Sequence, residues 1–231
     1  MINQAMVLAA GEGKRLRPLT EHIPKPLIPI KGKAIIDHVF DHLIKAGTTH
    51  CVVNTHYLAP QIQAHLQRKT SLEIIISHEP ELLDTGGGIV KALPYFHGKP
   101  FFVVNADIWW RDQEESCLNR LNRLWDASKM DALLLLIPCE KALGYTGAGD
   151  YFLSADGKAH YRVDQPTAPT VFSGIRILHP CLLEKQEIHP FSIVPFFHEA
   201  EKKGRLYGVL HEGLWGDIGT IDSLKMIRAF V

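Results

Sequence analysis

Ala5-Met6-Val7-Leu8-Ala9-Ala10-Gly11-Glu12-Gly13-Lys14-Arg15-Leu16-Arg17-Pro18-Leu19-Thr20 is the stretch from which the architecture is read. Its first part, Ala5–Ala10, is a continuous apolar run of the length and kind found in a strand buried on both faces. Two glycines follow at once and free the backbone, so that its N–H groups can approach phosphate oxygens closely. Lys14, Arg15 and Arg17 gather positive charge on the same loop, as a triphosphate requires. Two familiar phosphate loops do not fit. The dinucleotide fingerprint G-x-G-x-x-G has Leu16 where its third glycine belongs, and G-x-x-x-x-G-K-[ST] is absent. Taken alone, the loop could also be an ordinary turn carrying solvated basic residues.

Pro24-Lys25-Pro26-Leu27 follows closely. A proline on each side restricts the backbone to extended conformations and holds the lysine with little freedom. That stiffening helps a lysine that must meet a phosphate and gives nothing to a solvated one. L-A-A-G-x-G-x-R-x-x-P-L-T followed by P-K-P-L resembles the signature of the sugar-1-phosphate nucleotidyltransferases, and matching segments run through most of the chain. The resemblance implies that the first loop wraps a nucleotide and that the lysine contacts phosphate. It places nucleotide binding on Leu8, Ala10, Gly11, Gly13, Lys14, Arg15 and Lys25, with Arg15 and Lys25 catalytic. Position 14 varies in the family, so Lys14 carries the least weight.

Outward from the loop, strand-length apolar runs alternate with helical periods. Helices are predicted over Ala34–Ala46, Leu58–Lys69, Gly88–Phe96 and about Glu114 to Ser128. Strands are predicted over His50–Thr55, Leu72–Ser77, Pro100–Asn105 and Ala132–Ile137. Strands spaced by helices mean crossover connections and a mostly parallel sheet covered on both faces. After Pro138 the period breaks into shorter strands at Tyr151–Leu153, Ala159–Val163 and Val171–Leu178, which predict an antiparallel or mixed extension. A helix near Ile193–Lys203, a strand at Leu206–Leu210 and a helix from Ile221 complete the pattern. The expectation is an α/β, Rossmann-like three-layer sandwich with a mostly parallel mixed sheet, forming one domain over residues 1–231.

Asp84-Thr85-Gly86-Gly87-Gly88 reads as a loop whose bare backbone could meet a flat base edge, or as a flexible entry to the next helix. The resemblance favours the first and adds Gly86 and Gly87 to the nucleotide site. It likens the T-G-G-G form to bacterial uridylyltransferases acting on N-acetylmuramic acid 1-phosphate. Asp107 closes Val103-Val104-Asn105-Ala106-Asp107 at the carboxyl end of a strand, where open α/β sheets gather their ligands. Mg²⁺ takes few protein carboxylates and completes its shell with phosphates and water. Asp217, in Trp215-Gly216-Asp217-Ile218-Gly219-Thr220, is the expected second ligand, read as part of a short turn before a helix capped by Thr220. By resemblance, Asn105, Asp150, Asp164, Ser173 and Gly174 border a sugar pocket. At Asp164-Gln165-Pro166 the family's usual lysine is missing.

The bulk numbers agree. Lys plus Arg and Asp plus Glu are both 25, and this balance argues against a nucleic-acid or anionic-membrane binder. The four cysteines have no metal or disulfide spacing. His38 and His42 stand one helical turn apart, but Asp37 and Asp41 alternate with them and no third ligand is evident, so a solvated face is expected. No leader or membrane-length apolar run is seen, and the chain reads as cytoplasmic. The expected partners are a nucleoside triphosphate and a sugar 1-phosphate, with Mg²⁺. Guanylyl transfer to mannose or heptose 1-phosphate is the competing chemistry. A regulator without catalysis is disfavoured by Lys25, Asp107 and Asp217, and a nicotinamide dehydrogenase by Leu16.

Overall fold

A computed structural model describes residues 1–67 and 72–230. The strands are β1 Gln4–Leu8, β2 Pro29–Ile30, β3 Lys33–Ala34, β4 His50–Thr55, β5 Glu73–His78, β6 Phe101–Asn105, β7 Ile108–Arg111, β8 Ala132–Pro138, β9 Ala142–Leu143, β10 Tyr151–Leu153, β11 Ala159–Tyr161, β12 Thr170–Leu178, β13 Leu206–Leu210 and β14 Leu214–Asp217. The helices are α1 Ile35–Lys45, α2 Ala59–Leu66, α3 Asp84–Ala92, α4 Cys117–Leu124, α5 Val194–Lys202 and α6 Ile221–Phe230. Residues 68 and 69, the end of the helix predicted over Leu58–Lys69, lie outside the described residues.

The heart of the main sheet is the run β5-β4-β1-β6, parallel throughout. β12 joins β6 antiparallel, and β8, β10 and β11 extend the sheet beyond it, with β13 parallel to β8. The parallel half and the antiparallel extension were both expected. Alternation along each strand divides the core in two. Ala5, Val7, Phe102, Val104, Leu133 and Leu135 meet Ile36, Phe40, Leu43, Ile62 and Leu118 on one face. Met6, Phe101, Val103 and Leu134 meet Ile89, Val90, Phe197 and Ala200 on the other. The central runs, such as residues 101–104 and 132–137, are apolar without interruption because both faces of the sheet are covered there.

A third, smaller core holds the site. Leu16, Ile28, Ile30, Ile35, Trp109, Ile218, Leu224 and Ile227 pack together, joining the signature loop to the last helix. Above it lies a second sheet, β7-β14-β9, in which Asp217 is paired with Ile108 and Leu214 with Arg111. The stretch expected as a turn, Trp215-Gly216-Asp217, is thus a strand. Ser223 N–H donates to Thr220 Oγ1 at 3.1 Å, which caps α6 as read from the sequence.

Two predicted helix bounds are corrected. α4 stops at Leu124 and not near Ser128, because Trp125 is extended and Asp126 Oδ1 takes the Ser128 N–H at 3.0 Å in a local turn. α3 begins at Asp84 and not at Gly88, so the glycine run lies inside a helix. The face of α1 expected to be solvated is largely covered. Asp37 is 7% exposed and bonded to His65, while His38 and His42 reach separate carbonyls, Ile30 and Trp110.

Candidate active site

β1 and β6 lie side by side, so their carboxyl ends deliver Leu8 to Gly11 and Asn105 to Asp107 to one place. A cavity of about 310 Å³ opens there, walled also by Lys25, Asn54, Asp84 and Thr85. Its floor is fixed by a buried relay. Asn54 Oδ1 accepts the Ala9 N–H at 2.7 Å, and Asn54 Nδ2 donates to Glu79 Oε1 at 2.8 Å. Glu79 Oε2 takes the Leu83 N–H at 3.0 Å. Glu79, wholly buried, thereby sets the spacing between the glycine loop and the start of α3. Sequence reasoning missed this pair, since neither Asn54 at a strand end nor Glu79 in His78-Glu79-Pro80-Glu81 carries a periodic signal.

The signature loop turns through Gly13, whose φ of 64° is left-handed and whose absent Cβ would press on Thr20 at 3.0 Å. Gly11 is different: a Cβ there meets nothing within 4 Å, and it faces the cavity. Lys14 is exposed and paired with Glu12, away from the lining. The Lys25 segment corrects an expectation. Residues Lys25–Leu27 form one 3₁₀ turn, with Ile28 N–H bonded to the Lys25 carbonyl, flanked by extended backbone at Pro24 and Ile28. The stiffness expected of the two prolines is expressed as a turn.

Lys25, 10% exposed at its side chain, donates from Nζ to Asp107 Oδ2 at 2.7 Å. Asp217 approaches from β14, and its neighbour Ile218 donates its N–H to the Asp107 carbonyl at 2.9 Å. Burial raises the Asp217 carboxyl above the ordinary carboxylate range and Asp107 pushes it further, while Lys25 and Arg15 pull it back. The Arg15 guanidinium lies over Gly219, where an added Cβ would stand 3.1 Å from Nη2 and 2.6 Å from Asp217 Oδ2. Arg15, Lys25, Asp107 and Asp217 are therefore one electrostatic cluster, although Arg15 and Asp217 do not themselves line the cavity.

Of the residues expected around a sugar, Asn105 alone lines the cavity. Gly174 backs onto it, since a Cβ there would sit 2.9 Å from Asn105 Nδ2. Ser173 is buried, its Oγ occupied by the Ile175 N–H and its carbonyl by Trp215 Nε1. Asp150 accepts the Phe172 N–H at 2.9 Å, and burial raises its carboxyl. Asp164 is exposed on the turn after β11. Arg176 was not anticipated. It is 1% exposed, donates from Nη1 to Asn105 Oδ1 at 2.8 Å, and burial pushes its guanidinium down to about 9. It fixes the orientation of the Asn105 amide from behind.

Gly86 and Gly87 do not offer their backbone donors to the cavity. Both N–H groups point to the Phe191 carbonyl, at 2.8 and 3.4 Å. Their bareness is demanded by packing: a Cβ on Gly86 would lie 2.2 Å from the Phe191 ring, and one on Gly87 2.0 Å from the His189 carbonyl. Asp84 and Thr85, before them, are the residues of this run that line the cavity. Gly87→Ala is therefore expected to cost about 2–3 kcal/mol. Gly11→Ala should change stability by no more than about 0.5 kcal/mol while weakening nucleotide binding. Urea unfolding of the two variants beside the parent checks the contrast.

The family profile described as "Nucleotidyl transferase" matches residues 4–148. An N-acetylmuramate alpha-1-phosphate uridylyltransferase of Caulobacter vibrioides is 40% identical over 220 residues, covering 93% of this chain and 91% of the relative. A protein of the same name from Neisseria meningitidis serogroup B is 33% identical, covering 98% of this chain and 97% of the relative. Among solved structures, a UDP-glucose pyrophosphorylase complexed with UDP-glucose superposes with a TM-score of 0.80 over 100% of this chain and 98% of that one. At 18% identity that likeness concerns the fold alone.

Proposed function

This chain belongs to the nucleotidyl transferase family, and on that premise we propose that it transfers a uridylyl group from UTP to N-acetylmuramic acid 1-phosphate, giving UDP-N-acetylmuramic acid and pyrophosphate. The observation that carries the chemistry is the meeting of Lys25, Asp107, Asp217 and Arg15 beside one cavity between the glycine loop and α3. The uridylyl and N-acetylmuramate assignments draw on the two relatives and on Thr85-Gly86-Gly87-Gly88.

The nucleophile is an oxygen of the sugar phosphate, already ionised at neutral pH, so no general base is required. What the protein must supply is alignment and charge. The loop Leu8 to Gly13 would cradle the triphosphate with backbone N–H groups. Lys25 would leave Asp107 for a phosphate oxygen, and Arg15 would neutralise charge on departing pyrophosphate. Asn105, oriented by Arg176, would face the sugar, with Ser173 and Gly174 behind it.

Asp107 and Asp217 suit a hard divalent cation. They are oxygen donors only, and the Asp217 carboxyl is raised first by burial and then by Asp107, a cost that a cation would offset. Mg²⁺ held there would draw charge from the phosphoryl oxygens and help to align them for in-line displacement.

A pyrophosphate-release screen tests the reading: UTP, GTP, ATP and dTTP against N-acetylmuramic acid, mannose, heptose and glucose 1-phosphates. UTP with N-acetylmuramic acid 1-phosphate is expected to turn over fastest. Turnover with GTP and none with UTP would overturn the uridylyl assignment.

A further inference from the structure

β7 and β14 form an antiparallel ribbon within the three-stranded second sheet. Asp107 and Asp217 stand at one end of it. At the other, roughly 15 Å away for strands of this length, the chain brings together three side chains that the reaction does not use. Asp112 follows β7, Cys117 opens α4 and His211 follows β13 just before β14. Their ligating atoms, one carboxylate oxygen, one sulfur and one ring nitrogen, all lie within 4.8 Å of one another. This is the one such group among the described residues.

We propose that Asp112, Cys117 and His211 bind a divalent cation of the zinc class, separately from the magnesium expected at Asp107 and Asp217. Four observations support it. All three groups are sequestered: Cys117 is 3% and His211 4% exposed, and the Asp112 side chain 9%. Asp112 Oδ2 is buried and, with Oδ1 already taking the Cys117 N–H at 3.0 Å, is the carboxylate oxygen left for an ion. A support stands behind it, for His42 Nδ1 is 3.3 Å from that oxygen, with its ring stacked on Trp110 at 4.1 Å and its Nε2 on the Trp110 carbonyl. Such outer contacts fix a ligand's orientation. Finally, Cys117 and His211 line a cavity of about 390 Å³, which provides an entry path and room for a fourth, water ligand.

The donor set decides the ion. One thiolate, one imidazole and one carboxylate suit zinc or cobalt, whereas magnesium takes oxygen alone. His42 thus gains a role the sequence did not reveal. Its partner is not His38, one turn away, but Asp112, 70 residues on. A bound ion would join the start of α4 to both strands of the ribbon and clamp the end remote from the catalytic aspartates.

The test uses the whole chain freed of metal by a chelator, with Co²⁺ as the probe. One equivalent should produce thiolate-to-cobalt charge-transfer absorption and the intense visible bands of a four-coordinate site. Zn²⁺ should remove both and raise the melting temperature, while excess Mg²⁺ should do neither. Cys117→Ser and His211→Gln should weaken Co²⁺ binding by at least the roughly 10–100-fold that loss of an outer contact alone produces, while keeping Mg²⁺-dependent turnover. The Asp107→Asn, Asp217→Asn double variant should keep the spectrum. Absence of charge transfer, or a spectrum undiminished in Cys117→Ser, would overturn the proposal.

Discussion

Asp217→Asn is expected to lower turnover by about 10³-fold, near 4 kcal/mol of transition-state stabilisation, while making the cation-free protein more resistant to heat at neutral pH. The two effects have one cause. Burial, and Asp107 beside it, raise the Asp217 carboxyl above its unfolded value. Ionised Asp217 therefore opposes folding at every pH above its folded pKa. As pH falls from there towards the ordinary carboxylate value, the folded state gains stability by taking up the proton. Asn keeps the shape and removes the charge, so the variant lacks this pH dependence and the penalty at neutral pH. Thermal melts between pH 4 and 8 without divalent cation, beside saturating kinetics with Mg²⁺, measure both. Near-parental kcat would exclude Asp217 as a cation ligand. A lower melting temperature would show that its carboxylate supports the fold.

Asp107→Asn should be equally inactive but should not gain stability, because it leaves the Lys25 ammonium, 10% exposed, without its 2.7 Å partner. Since Asp107 is itself 36% exposed at the side chain, the loss should be modest, about 1 kcal/mol. Opposite stability shifts from two equally inactive variants would separate the carboxylate that is paired from the one that is only confined.

Lys25→Met carries the second large effect. The ammonium belongs to a lysine between two prolines, at the start of a 3₁₀ turn, and is held beside Asp107. Its preorganised charge should act where negative charge builds up, so its removal is expected to cost about 10²–10³ in kcat, or roughly 2.7–4 kcal/mol. Met preserves much of the apolar stem, and the exposed half of the pair limits any change in stability. Arg should not restore the rate, because a planar fork does not replace a compact charge in a fixed turn. Lys25 also pulls the Asp217 carboxyl down. Its loss should therefore move the acid limb of the remaining activity to higher pH. Steady-state kinetics across pH with both substrates saturating test this. A change confined to KM would make Lys25 a binding group only.

The parts legible in the sequence are those whose physics is local. His50–Thr55 and Leu206–Leu210 lie where their apolar runs placed them, because a strand covered on both faces needs no partner to declare itself. Gly11, Lys25 and Asp107 announced themselves through loop chemistry and strand ends, and all three line the cavity. The β7–β14 ribbon left no such trace. Ile108-Trp109-Trp110-Arg111 and Leu214-Trp215-Gly216-Asp217 are four residues each, have no clean alternation, and become strands only by pairing across a hundred residues. The glycine run misled for the opposite reason. Its composition argues for a loop, yet Phe191 and His189 press so close that only glycine fits the helix there. Glu79, Arg176 and the Asp112–Cys117–His211 group were invisible because each depends on neighbours distant in the chain.

That dependence of α3 on Phe191 bears on how the protein is made. Every residue lining the cavity lies between Leu8 and Asp107, so all of them leave the ribosome before α5 and β14. The carbonyl that receives the Gly86 and Gly87 N–H groups belongs to residue 191, and the Asp217 end of the ribbon emerges later still. A nascent chain ending before that point has every group of the pocket wall but only water to complete the first turn of α3. The start of α3 and the Asp217 side of the cluster are thus completed only once residues 191 and 217 have emerged to close over segments made long before.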